Sequence, residues 1–421
     1  MEPHRENVVY WDREYVPKRV SLGTAATDAQ GRVTATFKVP DDYGEVHDIY
    51  AVVDGQDVAR GGLRVMPQFS VTPVSGPVGT PITITGKGIG VKVWESLWAV
   101  AHDNKYTGWL SAVTTRGTVR AVIRAAGPPG KHVITIWHGG QGVPYLNWEQ
   151  SPQAHIPIFT FEFTVTEDAG PPPASVDWPD ADAVVTANEG IVRTTSGDTP
   201  ALPGVLATIN PAWGPVGSRA TLTATGLEPN SPVDLVYMTA RGSRTGGLGW
   251  GLAEIGLGQA KTDGQGTLKY DFEIPDDLGG WHTVKLVQNG RVVAEAPVLV
   301  VPSPVGVTPT RVRVGETFQV HIKGVGWTEL DNIYAVTYDN AFIGFACGFN
   351  SNGDVTINLQ ASGQPGTHLI DLYPAIYQAV GHAQPPLLYD IPQLTFYRDH
   401  PSLALGYRLP AFRLAIEVVG D

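Results

Sequence analysis

Four histidines stand where a base or a metal ligand could work: His47, His132, His282 and His368. Each follows a glycine by two or three residues and opens an apolar run. Imidazole changes charge near neutral pH and binds metals, so these residues are the first to weigh for chemistry. Their spacing argues for a plainer role. With one histidine in each of four equivalent places, no two are set to converge. A structural histidine that bonds a nearby loop at a strand corner fits better. Asp41-Asp42, Asp276-Asp277 and the trio Asp177, Asp180 and Asp182 offer hard oxygen ligands for calcium. None completes a known loop spacing, and aspartate is ordinary in turns. Gly86-Lys87-Gly88-Ile89-Gly90 lacks the Walker spacing and leaves a strand without opening a helix. Neither Gly-x-Ser-x-Gly nor His-Glu-x-x-His occurs. No residue is therefore assigned to catalysis, a metal or a cofactor, and the chain reads as a non-enzyme.

Aromatic residues offer binding rather than catalysis. Trp98 and Trp137, matched later by Tyr334 and Tyr373, alternate with core positions and read as buried. The loop from Gly139 to His155 is long and polar and carries Tyr145 and Trp148. Its counterpart from Pro374 to Tyr389 carries Tyr377 and Tyr389, and the glycine-rich stretch 242–258 carries Trp250. Aromatics on such loops could stack on sugars or anchor a protein. Tyr145, Trp148, Tyr377, Tyr389 and Trp250 are the expected ligand-binding residues.

The elements that would position them follow from an internal duplication. Val71-Thr72-Pro73, Gly79, Lys87-Gly88-Ile89-Gly90, Asp103-Asn104, Gly108, Gly130 and His132 recur at Val307-Thr308-Pro309, Gly315, Lys323-Gly324-Val325-Gly326, Asp339-Asn340, Gly344, Gly366 and His368. The offset is 236 residues throughout. A second echo links Thr27-Asp28-Ala29-Gln30-Gly31 to Thr262-Asp263-Gly264-Gln265-Gly266, and Pro40-Asp41-Asp42-Tyr43-Gly44 to Pro275-Asp276-Asp277-Leu278-Gly279. The order is B-A-B-A. We assign residues 1–66 to a first B domain, 67–166 to an A domain, 167–203 to a Pro/Asp-rich linker, 204–303 to a second B domain and 304–421 to a second A domain.

Val33, Ala35, Phe37 and Val39 alternate with polar neighbours, which predicts a half-buried strand. Ile82 to Thr85 and Val133 to Ile136 are β-branched runs of strand length. Asp54-Gly55, Asn289-Gly290 and Asp103-Asn104 lie between such runs as hairpin turns. Short strands with frequent turn signals predict an all-β chain of antiparallel immunoglobulin-like sandwiches. The first B domain begins almost at Val8-Val9-Tyr10, which matches Leu235-Val236-Tyr237. It lacks two strands that precede this point in the second B domain, so core side chains and a sheet edge should be left without partners.

The totals agree. A length of 421 residues suggests three or four domains. Abundant glycine (49) and proline (34) suit many turns. A formal charge of -12 disfavours nucleic acid or an anionic membrane as main partner. One cysteine, Cys347, leaves no intrachain disulfide framework. No run of about 18 apolar residues predicts membrane insertion. No basic-then-apolar leader follows Met1, so either more protein precedes it or export is not involved.

Gly76-Pro77-Val78-Gly79-Thr80-Pro81-Ile82-Thr83-Ile84-Thr85-Gly86 and Gly214-Pro215-Val216-Gly217-Ser218-Arg219-Ala220-Thr221-Leu222-Thr223 resemble the opening of bacterial immunoglobulin-like repeats of the IPT/TIG kind. The second A domain departs from this with Thr310-Arg311-Val312-Arg313-Val314-Gly315. The resemblance implies spacers, stalks and binding modules of surface or secreted proteins. The expectation is an extracellular or cell-surface structural protein (a stalk, fibre subunit or adhesin). It would act through self-association or a surface or protein partner, with strand complementation at the first domain. A polysaccharide-binding region or a phage virion decoration or tail protein is the alternative.

Overall fold

The computed structural model describes residues 18–90, 97–112, 115–138, 143–151, 156–178, 193–194, 202–243, 249–328, 331–348, 351–375, 391–395, 407 and 409–420. The fold is all-β, with immunoglobulin-like sandwiches in tandem. The first B domain contributes β1 (Glu45–Val53) and β2 (Gln56–Val65), an antiparallel pair. The first A domain holds β3 (Gln68–Thr72), β4 (Ser75–Gly76), β5 (Pro81–Lys87), β6 (Leu97–His102), β7 (Lys105–Ser111), β8 (Val119–Arg124), β9 (Gly130–His138) and β10 (Phe159–Val165). The linker adds β11 (Ser175–Asp177) and β12 (Arg193–Thr194). The second B domain holds β13 (Leu206–Asn210), β14 (Trp213–Gly214), β15 (Arg219–Thr225), β16 (Pro232–Gly242), β17 (Trp250–Lys261), β18 (Leu268–Glu273), β19 (Gly280–Gln288) and β20 (Arg291–Val300). The second A domain holds β21 (Ser303–Thr308), β22 (Arg311–Arg313), β23 (Thr317–Lys323), β24 (Ile333–Tyr338), β25 (Ala341–Cys347), β26 (Val355–Gln360), β27 (Gly366–Ala375) and β28 (Ala411–Val419).

Each complete domain pairs a three-stranded sheet with a larger one: β3-β5-β8 with β4-β10-β9-β6-β7, β13-β15-β18 with β14-β20-β19-β16-β17, and β21-β23-β26 with β28-β27-β24-β25. The first strand of each breaks and crosses sheets. Its second piece (β4, β14 or β22) runs parallel to the domain's last strand. The period-2 pattern drives the layering: in β5, Ile82 and Ile84 point inward at 0% exposure while Pro81 and Lys87 face water. The expected turns are present. Asp103-Asn104, Asp339-Asn340, Asp54-Gly55 and Asn289-Gly290 all have positive φ at both central residues, the backbone a tight two-residue hairpin requires.

The linker is partly a structural element. β11 extends the second A domain's sheet by pairing with β28, and Asp168 accepts hydrogen bonds from the Thr367 N–H and hydroxyl at 2.7 and 2.6 Å.

The sandwiches are tandem in sequence, but the two A domains also lie directly against each other. The outward-facing Leu97, Ala99 and Ala101 of β6 are as buried as the inward-facing Trp98 and Val100. Segment 391–395 covers the β7 edge, with Trp109 N–H donating to the Pro392 carbonyl at 3.0 Å and Leu394 N–H returning to Trp109 at 2.9 Å. Arg124, 4% exposed, crosses the boundary to donate to the Leu414 carbonyl at 2.6 Å and to pair with Asp371. Arg413 reaches the Val122 carbonyl at 3.2 Å and Asp177 at 2.7 Å. A carboxylate between two guanidiniums holds this junction in one register.

Candidate functional site

The four histidines share one geometry. The Nε2–H of His47, His132, His282 and His368 donates to the carbonyl four residues upstream, on Tyr43, Pro128, Leu278 and Gln364, each at 2.8 Å. Each ring thus closes the loop that delivers its strand. In the A domains Nδ1 faces an aspartate: His132 with Asp103 Oδ2 and His368 with Asp339 Oδ2, both at 2.6 Å. The other carboxylate oxygen accepts the N–H of Val133 or Leu369 at 2.9 Å. Burial works against ionising Asp103, but the His132 and Val133 hydrogen bonds outweigh it and hold the carboxyl below its usual range. Burial likewise opposes charge on His368, yet Asp339 prevails and its pKa is raised. His282 is fully enclosed; burial lowers its pKa, and its Nδ1 lies 2.9 Å from the Met238 carbonyl. These are strand-corner residues, not converging catalysts.

The aspartate turns and the lysine-glycine motif belong together. Asp41 pairs with Lys87 at 2.9 Å, and Asp276 pairs with Lys323. Beside each ion pair the backbones touch, with Gly44 N–H donating to Ile89 at 2.9 Å and Gly279 N–H to Val325 at 3.0 Å. A Cβ on Gly44 or Gly279 would collide with the Gly88 or Gly324 carbonyl. So the lysine-glycine motif and the aspartate turn make one clasp, built twice, joining each B domain to the A domain after it. Asp177 is engaged by Arg413 instead; Asp180 and Asp182 lie outside the described residues.

The aromatic candidates separate. Trp148 needs correction: at 8% exposure it packs against His138, ring centroids 5.7 Å apart, inside the first A domain's core. Loop length and polarity suggested exposure, but a short 3-10 turn, Trp148–Gln150, folds the indole inward. Trp250 is half-buried, edge-on to Trp327 at 5.8 Å. Tyr145, 46% exposed, keeps an accessible face. Tyr377 and Tyr389 lie outside the described residues. Of the three described, only Tyr145 is exposed.

The largest departure from the repeat is the first B domain. Residues 33–39 were expected to form a strand but have none; Val33 is 50% and Val39 41% exposed. Their match in the second B domain, β18, pairs with β15. No described residue of the first B domain supplies a strand equivalent to β15, so the alternating segment has nothing to bond. The same shortage shows on the hairpin. Val46, Val52, Val53 and Val58 are between 52% and 66% exposed. At the matching places, Trp281 and Val293 are 6% and 5% exposed. Val58 lies on the face that Val293 turns to the core of the second B domain, and Val46 lies on the opposite face, where Trp281 packs outside that core; both faces of the ribbon thus leave apolar side chains in water.

Among the described residues no helix is long and apolar enough to cross a membrane. No protein-family model matches the sequence, and no curated protein does. Among solved structures the chain is similar to the adhesin InvE of Yersinia pseudotuberculosis, at 12% identity over 40% of this chain and 55% of that one, with a TM-score of 0.21. It is similar to a putative membrane anchored protein from Corynebacterium diphtheriae, at 13% identity over 59% and 63%, TM-score 0.19. It is also similar to domains 3 and 4 of rat CD4, at 14% identity over 40% and 92%, TM-score 0.19. The chain thus spans about half the length of the adhesin. Scores this low carry no argument about arrangement or function, and the sandwich assignment stands on the strand pairing described above.

Proposed function

We propose that this chain is a non-enzymatic structural repeat protein of an extracellular or cell-surface assembly, of the IPT/TIG kind. Its first B domain is completed by the same domain of a second copy. The observation that carries this reading is the exposed apolar face of β1–β2, whose twin β19–β20 is buried in a complete sandwich. Two such half-sandwiches, face to face, would cover Ile49, Val58 and Leu63, whose twins Val284, Val293 and Val298 lie in the second B domain's core, and give residues 33–39 a sheet to join. A self-complementary contact of this kind closes as a two-fold dimer.

Sedimentation velocity across a concentration series tests it. A monomer–dimer equilibrium is expected, shifted to monomer by Val58→Asp, with hydrogen exchange at β1 slowing as dimer forms. A chain that stays monomeric at all concentrations, or a dimer that Val58→Asp leaves intact, would count against the proposal. Trp148 no longer favours the polysaccharide reading, because its indole is enclosed.

A further inference from the structure

One titratable side chain in the first A domain has no duty in its corner. His102, the last residue of β6, is 2% exposed, and its Nε2 has no hydrogen-bond partner. Its Nδ1 lies 3.6 Å from Asp103 Oδ2, beyond hydrogen-bond reach. Its ring stacks on His132 with centroids 5.3 Å apart. The ligand atoms of His102, Asp103 and His132 all lie within 4.8 Å of one another. Burying an imidazole that makes no hydrogen bond is costly, and the fold has a cheaper solution at hand. The second A domain has Tyr338 at this position, and its hydroxyl donates to the Ser362 carbonyl at 2.8 Å. The corner pair beside it keeps the same 2.6 Å contact, so the fold does not require a histidine at 102.

We infer that His102, Asp103 and His132 form a binding site for a divalent transition-metal ion of the Zn²⁺ class, in the first A domain and not in the second. Two imidazoles and a carboxylate suit zinc and its neighbours better than calcium. Zn–N and Zn–O bonds of about 2.0–2.2 Å set tetrahedral ligands roughly 3.3 Å apart. The contacts of 2.6 and 3.6 Å bracket that spacing, and all three ligand atoms lie within 4.8 Å of one another. The outer shell is in place: His132 Nε2–H donates to the Pro128 carbonyl, leaving Nδ1 to face the site, and Val133 N–H orients Asp103. Asp103 is 36% exposed, which gives the ion an entry path and leaves room for water at a fourth position. Nearby, Asp339 favours a cation and Lys105 opposes one.

Chelator-treated full-length chain without a histidine tag, titrated with ZnCl₂ by calorimetry and with CoCl₂ by visible absorption, tests the site. The wild-type chain should take one Zn²⁺, raise its melting temperature on binding, and give Co²⁺ bands of a low-coordinate nitrogen–oxygen site. H102Y, which copies the second A domain, should lose all three while keeping its fold. Y338H should build a twin beside Asp339 and His368, so that the stoichiometry doubles. No zinc uptake by the wild-type chain, or uptake that H102Y leaves unchanged, would overturn the inference.

Discussion

Val58 and Val293 occupy the same place in two copies of one hairpin, yet one is 59% exposed and the other 5%. The local recipe is the same in both: two strands, a turn with both central φ positive, and a histidine closing the approach. What differs is the facing sheet. β13, β15 and β18 lie over the second hairpin, and no described strand lies over the first. The lesson is that an alternating pattern earns burial only when a second layer arrives. Residues 33–39 show the same thing from the other side: a strand-like sequence without a neighbouring strand forms no strand.

Substitutions at paired positions can break or sharpen this comparison between the halves. The largest effect is expected at the A–A junction. Asp371→Ala would strand Arg124 and Arg413 in a buried contact and should cost about 3–5 kcal/mol. The equivalent Thr135→Ala in the first A domain should cost under about 1 kcal/mol. Chemical denaturation of both variants checks the difference. Val293→Ala should cost about 2 kcal/mol for two buried carbon groups and the space they leave. Val58→Ala in dilute monomer should lie within about 0.5 kcal/mol of wild type. Equal costs at the two valines would mean the first hairpin is covered after all.

A smaller effect should follow pH. His138 is buried between Trp98 and Trp148, and burial lowers its pKa to about 4. The unfolded chain takes up this proton from about pH 6.5 downward, before the folded chain does. The stability His138 contributes is therefore complete above about pH 6.5 and is lost as pH falls to about 4. Thermal melts across that window should be flatter for His138→Phe than for wild type. The second A domain has Pro374 at this position and no such term. The smallest effect belongs to the exposed clasp pairs: Lys87→Ala and Lys323→Ala should leave the melting temperature nearly unchanged, and by the same amount.

Much of the architecture was legible because duplication doubles every signal. Asp103-Asn104 and Asp339-Asn340 announced their hairpins, and the four histidines announced their corners. The A–A packing was harder to see, because its charges are not repeated: Gln360 stands opposite Arg124, Thr135 opposite Asp371 and Thr160 opposite Arg413. Its signal was a single charge inside an apolar strand, as in Ile370-Asp371-Leu372 and Phe412-Arg413-Leu414. The run Leu97-Trp98-Ala99-Val100-Ala101, apolar on both faces, was another. Trp148 was misread because loop polarity says nothing about a 3-10 turn that folds one side chain back. His102 gives no repeat signal, because the second A domain has Tyr338 in its place.

The paired clasps have a mechanical consequence. Since the backbone of each B domain touches the A domain behind it through a glycine with no room for a side chain, the elbow between them is set by hard contact rather than by a hinge. What was copied is then a jointless two-part strut, with its bend angle inherited along with its domains. Under tension such a strut should yield by peeling a strand from a sheet, rather than by opening at the boundary between B and A.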